Sequence, residues 1–207
     1  PMVIFIVSIL VINLFLYMRN SKTNKSMEQI RDDFWTKERK ANLTTRKTIS
    51  DIDYIKIPIN DLPIVAQTND SELAYIQSKI IKLSKEPIAN FTGYSNTDLK
   101  LKYGVGNINH IIECDTNFTA FATLMYEWGL YYYNQKQYQK AQQILEIAIN
   151  QKSDVSKSFT LLAEIYIDSG QSDKIDTLIQ IAQTLDTMVK NKIIESLKEL
   201  KYSSFLL

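Results

Sequence analysis

The residues that first invite chemistry are His110 and Cys114, the single histidine and the single cysteine of the chain. They lie four apart, about one helical turn. An imidazole beside a thiol is the start of a Cys–His nucleophile, and Glu113 and Asp115 would extend the pair into a metal-binding set. Each reading lacks its other parts. Zinc needs three or four ligands, and nothing else in the sequence stands at metal-ligand spacing. A thiol nucleophile needs an oriented base and an oxyanion site, and the sequence outlines neither.

Other chemical signatures fail on similar grounds. Gly104-Val105-Gly106 lacks the third glycine of a dinucleotide fingerprint and the Gly-Lys-Ser/Thr of a phosphate loop, so it reads as a turn. No serine sits in a Gly-x-Ser-x-Gly elbow. The expectation is a protein that is not an enzyme, with no catalytic residue, cofactor or metal. Charge narrows the classes further. Residues 19–47 carry a net +5, and the chain from Thr48 onward a net −4. A nucleic-acid binder would put its basic face on the folded part, which here is mildly acidic. One cysteine excludes an internal disulfide framework and fits a reducing compartment.

The elements that must position any site begin with residues 2–18, which are apolar apart from Ser8 and Asn13 and carry no charge. Seventeen residues at ~1.5 Å each reach roughly 26 Å, enough for a bilayer core with snorkelling flanks. A cleaved signal peptide is the competing reading, but no basic residue precedes the run and no small-x-small site follows it. Pro1 stands before Met2 and leaves open what preceded it. A retained single-pass anchor is therefore expected, with Asn13 available to pair two such helices. Arg19, Lys22 and Lys25 follow at once and place this flank, and with it the folded part, on the cytoplasmic side. Asn24, Asn42, Asn90 and Asn117 each open an Asn-x-Ser/Thr sequon, a frequent chance match in an Asn-rich chain.

Residues 19–47 read as a basic juxtamembrane region, with a helix from Ser26 to Ala41 capped by Ser26. Met27, Ile30 and Phe34 fall on one side of it, and Lys37, Arg39 and Lys40 gather at its far end. Two readings follow: a helix lying on anionic headgroups, or a solvated spacer whose small apolar stripe docks on the domain. Interrupting acidic residues favour the second. Residues 48–70 form an extended segment rich in isoleucine, where Pro58 and Pro63 forbid a continuous helix. Its apolar side chains must be buried on something, and the expected place is the groove of the helical hairpins described next. Residues 71–114 read as short helices packing on those hairpins. Ser71–Lys85 carries Leu73, Ile76, Ile80, Ile81 and Leu83 on one side and stops at Pro87. Asn96–Tyr103 alternates like a strand, but a Ser95 or Asn96 cap and the Gly104 stop favour a short helix. Asn107–Cys114 forms another short element, and Asp115 caps the helix that follows.

Residues 115–207 contain one pattern twice. Trp128-Gly129, Tyr132, Ala141, Leu145 and Ala148 recur 34 positions later as Leu162-Ala163, Tyr166, Ile175, Ile179 and Ala182. Gly129 and Ala141 leave room where two antiparallel helices cross, while Tyr132 and Leu145 fill the space around the crossing. The pattern resembles the tetratricopeptide repeat and covers roughly a third of the chain. Ile175 departs from it, since a small residue is usual there. Val189–Tyr202 resembles the helix that closes such stacks.

The apolar run and the resemblance together imply an all-α fold: an N-terminal transmembrane helix (residues 1–18), then a small stack of α-α hairpins with a C-terminal capping helix. It also implies a partner groove lined by Thr123, Tyr126, Leu130 and Tyr133 in the first repeat and Lys157, Thr160, Glu164 and Ile167 in the second. Family members that grip a C-terminal carboxylate use Lys and Asn at some of these places. Tyr126 and Leu130 stand there instead, so an apolar peptide or helix is the implied partner. The layout as a whole resembles single-pass bacterial membrane proteins bearing such repeats, a group with no assigned activity. Two functions follow: a membrane-anchored adaptor on the cytoplasmic face, or a structural or assembly subunit whose groove its own chain fills. Either version can pair with a second copy through the anchor.

Overall fold

The computed structural model describes residues 27–204. The expected membrane helix over residues 2–18 and the Ser26 cap lie outside them. Among the described residues there are eight α-helices and no β-strand, only an isolated antiparallel bridge between Tyr54 and Ala89. None of these helices is long and apolar enough to cross a membrane. The helices are α1 (27–42), α2 (Ser71–Leu83), α3 (Asn96–Tyr103), α4 (Ile108–Asn134), α5 (Tyr138–Asn150), α6 (Ser156–Asp168), α7 (Lys174–Thr184) and α8 (Lys190–Ser204). They divide between two units, one holding residues up to 48 with 95–108, the other 49–94 with 109 onward.

In the first unit, α1 is fixed on α3 by polar contacts over its last turns. Lys37 Nζ meets Asp98 Oδ1 at 2.7 Å, Lys100 Nζ meets Glu38 Oε1 at 2.6 Å, and Thr97 donates to Glu38. Ala41 lies fully buried. The ambiguous stretch 96–103 is a helix because its ends are well chosen. Ser95 and Asp98 form a reciprocal capping box, and Gly104 at φ 82° ends the helix. A side chain at 104 would also collide with the Thr45 carbonyl. Beyond α1, the 43–48 loop is laced to the end of α3. Asn107 Nδ2 donates to the Lys47 and Tyr103 carbonyls at 2.7 and 2.8 Å, while its Oδ1 accepts from Arg46 Nε at 2.8 Å. In the first turns of α1, Met27, Ile30 and Phe34 are 62, 60 and 54% exposed, and the polar contacts with α3 run from Lys37 onward.

The second unit is one apolar core. α4 runs unbroken for 27 residues and supplies Phe118, Phe121, Met125, Trp128 and Tyr132 to it. The expected break at 114–115 is absent. No Pro or Gly occurs between Ile108 and Trp128 to end a helix, and Asp115 spends its carboxylate on the Phe91 N–H instead of on a cap. After α4 the helices follow one another through short turns, with α5 packing on α6, α6 on α7, and α8 across both α6 and α7. α8 closes the row with Ile193 and Leu197 buried.

The crossing of α4 and α5 is tight. A Cβ on Gly129 would lie 2.8 Å from Leu145 Cγ and Cδ2, and Leu145 and Ala141 are both fully buried. The 34-residue offset also appears in the turns. Gln137 N–H bonds the Tyr132 carbonyl as Gln171 N–H bonds that of Tyr166, and Lys136 to Tyr133 repeats as Gly170 to Ile167. Both turns use a left-handed residue, Lys136 at φ 58° and Gly170 at φ 70°. Ile175, despite its size, is fully buried, while Ile179 is only half-buried.

The 49–70 segment is part of this core. Ile57 and Leu62 are buried in it, Tyr132 Oη donates to the Pro63 carbonyl at 3.2 Å, and Gln143 Nε2 donates to that of Asp61 at 2.5 Å. On α2, Gln77 takes the inward position expected of Ile81. Its Oε1 accepts from Val65 N–H at 2.9 Å, whereas Ile81 is 38% exposed.

Two outcomes are expected from this packing. Gly129→Ala gains about 1 kcal/mol of helix propensity but overpacks a boxed-in leucine at about 1–3 kcal/mol, so urea unfolding should show a net loss on the order of 1 kcal/mol. The first unit should loosen in acid. Lys37, with the Ser95 hydroxyl and amide, lowers the Asp98 carboxyl to about 2. A depressed carboxyl stabilises above its ordinary value of 3.8 and loses that contribution as pH falls toward 2. Amide exchange in α3 should therefore accelerate across that window and recover on neutralisation; rates in the Asp98→Asn variant should change less with pH.

Candidate functional site

The eight residues implied as a groove lie on α4 and α6, but not all of them face one space. α4 divides its circumference three ways. One side is the buried row from Phe118 to Tyr132. A second, with Ala120, Leu124 and Glu127, turns to α2 and lines a cavity with Tyr75 and Lys79. The third carries Tyr126, Leu130 and Tyr133, all half-buried and packed on the edge of the core. On α6, Ile167 and Thr160 are half-buried, and Lys157 and Glu164 are exposed. Lys157 Nζ lies 5.9 Å from the Tyr126 ring centroid, joining the two sets at one point. Tyr133 stands edge-on to Tyr138 at 5.4 Å. Thr123 is the outlier, exposed and lining the α2 cavity.

Burial on this face tunes its polar groups in one direction. Desolvation, reinforced by Asp168, raises the Glu164 carboxyl above its ordinary value. Desolvation also raises the Tyr133 phenol, helped by Glu164 and Asp168. Chemically the surface is an aromatic and aliphatic strip bordered by one cation and one carboxylate. It can hold an apolar side chain and orient its neighbours, and it assembles no nucleophile. The 49–70 segment makes side-chain polar contacts with Tyr132, Gln143, Gln77, His110 and Tyr131, none of which belongs to the eight.

His110 and Cys114 do come together, with Cys114 Sγ 3.6 Å from His110 Nε2. The same nitrogen sits 2.9 Å from Tyr54 Oη, and Glu113 Oε2 lies 3.6 Å from His110 Nδ1. The thiol is fully buried, and burial, with Glu113 and Asp115, pushes its pKa up. A buried neutral thiol is the reverse of an activated one. Among the described residues no group of three or more His, Cys, Asp or Glu is arranged to hold a metal ion.

One concavity escaped the sequence reading. A cavity of about 390 Å³ is walled by Asp53, Asn90, Asn150, Lys152, Asp154 and Asp186. Asn90 Nδ2 donates to the Lys152 carbonyl at 3.2 Å across it. Its residues come from four distant stretches without shared spacing, so no local signal could have marked it. Comparison with protein-family profiles, curated proteins and solved structures gives no match, so the functional reading rests on the residues themselves.

The buried pair gives a direct check. In native protein at neutral pH, Cys114 should react with a thiol-specific chromogenic reagent at least tenfold more slowly than in urea. Rapid native labelling would show an accessible, activated thiol.

Proposed function

We propose that this protein is a membrane-anchored adaptor that holds a partner protein at the cytoplasmic face, on a tetratricopeptide-like stack of helical hairpins. The hairpin reading draws support from the 34-residue offset, which recurs in packed residues and in turn hydrogen bonds alike. The anchor is assigned to residues 2–18 and the cytoplasmic side to the basic flank after them. The observation that carries the binding role is the half-open strip of Tyr126, Leu130 and Tyr133, joined to α6 where Lys157 overlies Tyr126. The strip suits an apolar peptide or helix, and tethering to the membrane raises its effective concentration for a partner there.

A second reading is a structural or assembly subunit that takes no exchangeable ligand. Ile57 and Leu62 favour it, because they make the chain's own segment an integral part of the core. The adaptor reading ranks first because the polar contacts of that segment fall away from the strip.

A photoreactive residue at position 126 separates the two. In intact membranes it should crosslink to another protein, and Glu164→Arg, at an exposed position that leaves the core alone, should lower that adduct severalfold. Adducts confined to residues 49–64, or an adduct indifferent to the charge at 164, would overturn the adaptor.

A further inference from the structure

The first turns of α1 present four large apolar side chains to solvent. Met27, Ile30, Phe34 and Trp35 are 62, 60, 54 and 52% exposed. Spaced at i, i+3, i+7 and i+8, they occupy one side of the helix, and the Phe34 and Trp35 rings touch edge to face at 5.4 Å. The opposite side carries Gln29, Asp32, Asp33 and Thr36. Single exposed apolar residues are ordinary, but a contiguous helical stripe is not. Over Lys37, Glu38 and Ala41 the same helix is held on α3, so its first turns project with their orientation fixed.

What covers the stripe is indicated by the sequence just before it. The charge-free apolar run ends at Met18, and only eight residues separate it from Met27. Fully extended, eight residues reach at most about 26–29 Å. If the run spans a bilayer, α1 therefore cannot leave the neighbourhood of its surface. The stripe's chemistry suits that place. Tryptophan concentrates at membrane interfaces, and Arg31, which falls between Met27 and Trp35 on the same side and pairs with Glu28 and Asp32 at 3.6 and 3.7 Å, can extend its guanidinium to headgroups. Residues 27–42 hold four basic and four acidic side chains, so attraction to anionic headgroups is weak and apolar burial is the driving force.

We propose that α1 lies in the membrane interface on Met27, Ile30, Phe34 and Trp35, setting the orientation of the first unit against the bilayer. This rests on the anchor reading of residues 2–18. A second copy of the chain is the other candidate occupant. The eight-residue link favours lipid, because it delivers the stripe to the bilayer without requiring any association.

The test uses the full chain reconstituted in phosphatidylcholine vesicles with brominated acyl chains. Trp128 is fully buried and serves as the internal unquenched fluorophore. Trp35 should be quenched, more by bromines near the headgroup end of the acyl chain than by those near its terminus. The quenchable fraction should vanish in Trp35→Tyr and fall at least twofold in an Ile30→Ser, Phe34→Ser variant. Since these side chains are exposed, that variant should keep its fold, which circular dichroism would verify. Replacing a third of the lipid with an anionic one should change the quenching less than twofold. If the protein floats with the vesicles but Trp35 is unquenched, the stripe proposal fails and the anchor stands. If it does not float, both fail. Cysteines at position 34 that crosslink two chains, with Trp35 unquenched, would give the stripe to a second copy.

Discussion

The second unit depends on how closely α4 can approach α5. With no side chain at Gly129, Leu145 fills the space in which a Cβ would sit, and the rest of the crossing follows from that closeness. Ala141 is small and fully buried, and the Trp128 and Tyr132 rings, 6.4 Å apart, occupy the volume on the α4 side. Interiors are packed near crystal density, so moving one helix by a methyl group would disturb every neighbour. Next to Leu145 in the chain, Glu146 accepts a hydrogen bond from the Tyr166 hydroxyl of α6 at 2.8 Å. Burial and that carboxylate together push the Tyr166 phenol up, so the bond is held by a neutral hydroxyl.

What repeats is therefore a way of ending and restarting a helix as much as a set of core residues. The turn after α4 and the turn after α6 share hydrogen bonds and left-handed geometry, yet one uses lysine and the other glycine. A left-handed lysine costs roughly 1–2 kcal/mol, which the surrounding helix contacts must offset. Packing sets the turn, and the residue tolerates it. The same ranking covers Ile175, a large side chain that is nonetheless fully buried.

Legibility followed the range of each signal. Periodic helices such as α2 and α8, and the 34-residue spacing, were readable because their evidence lies within a few turns of chain. The helix over 96–103 was readable from its ends, Ser95 and Gly104, although its interior alternates like a strand. The continuity of α4 was obscured by Asp115, an acceptable cap by type whose carboxylate is committed to Phe91 across the unit. Gln77 for Ile81 on α2 was hidden for the same reason, since its partner Val65 lies outside the helix. Of the candidate site, the positions on α4 and α6 could be carried over by spacing, but Thr123 facing α2 could not. The Asp53, Asp154 and Asp186 cavity had no local mark at all.

The exposed stripe on α1 shows how a weak surface can still matter. Burying one large apolar side chain fully is worth about 1.5–3 kcal/mol, and these four have roughly half their surface to lose, so the whole stripe offers about 3–6 kcal/mol. As a free association that corresponds to dissociation constants from roughly 6 mM down to roughly 40 μM. It is far too little to bring a protein to a membrane. Short flexible tethers, however, supply effective concentrations that are themselves about millimolar. If residues 2–18 anchor the chain as proposed, the same energy becomes enough to hold the helix down for a large part of the time. In that arrangement the anchor provides attachment and the stripe provides orientation, so neither segment substitutes for the other.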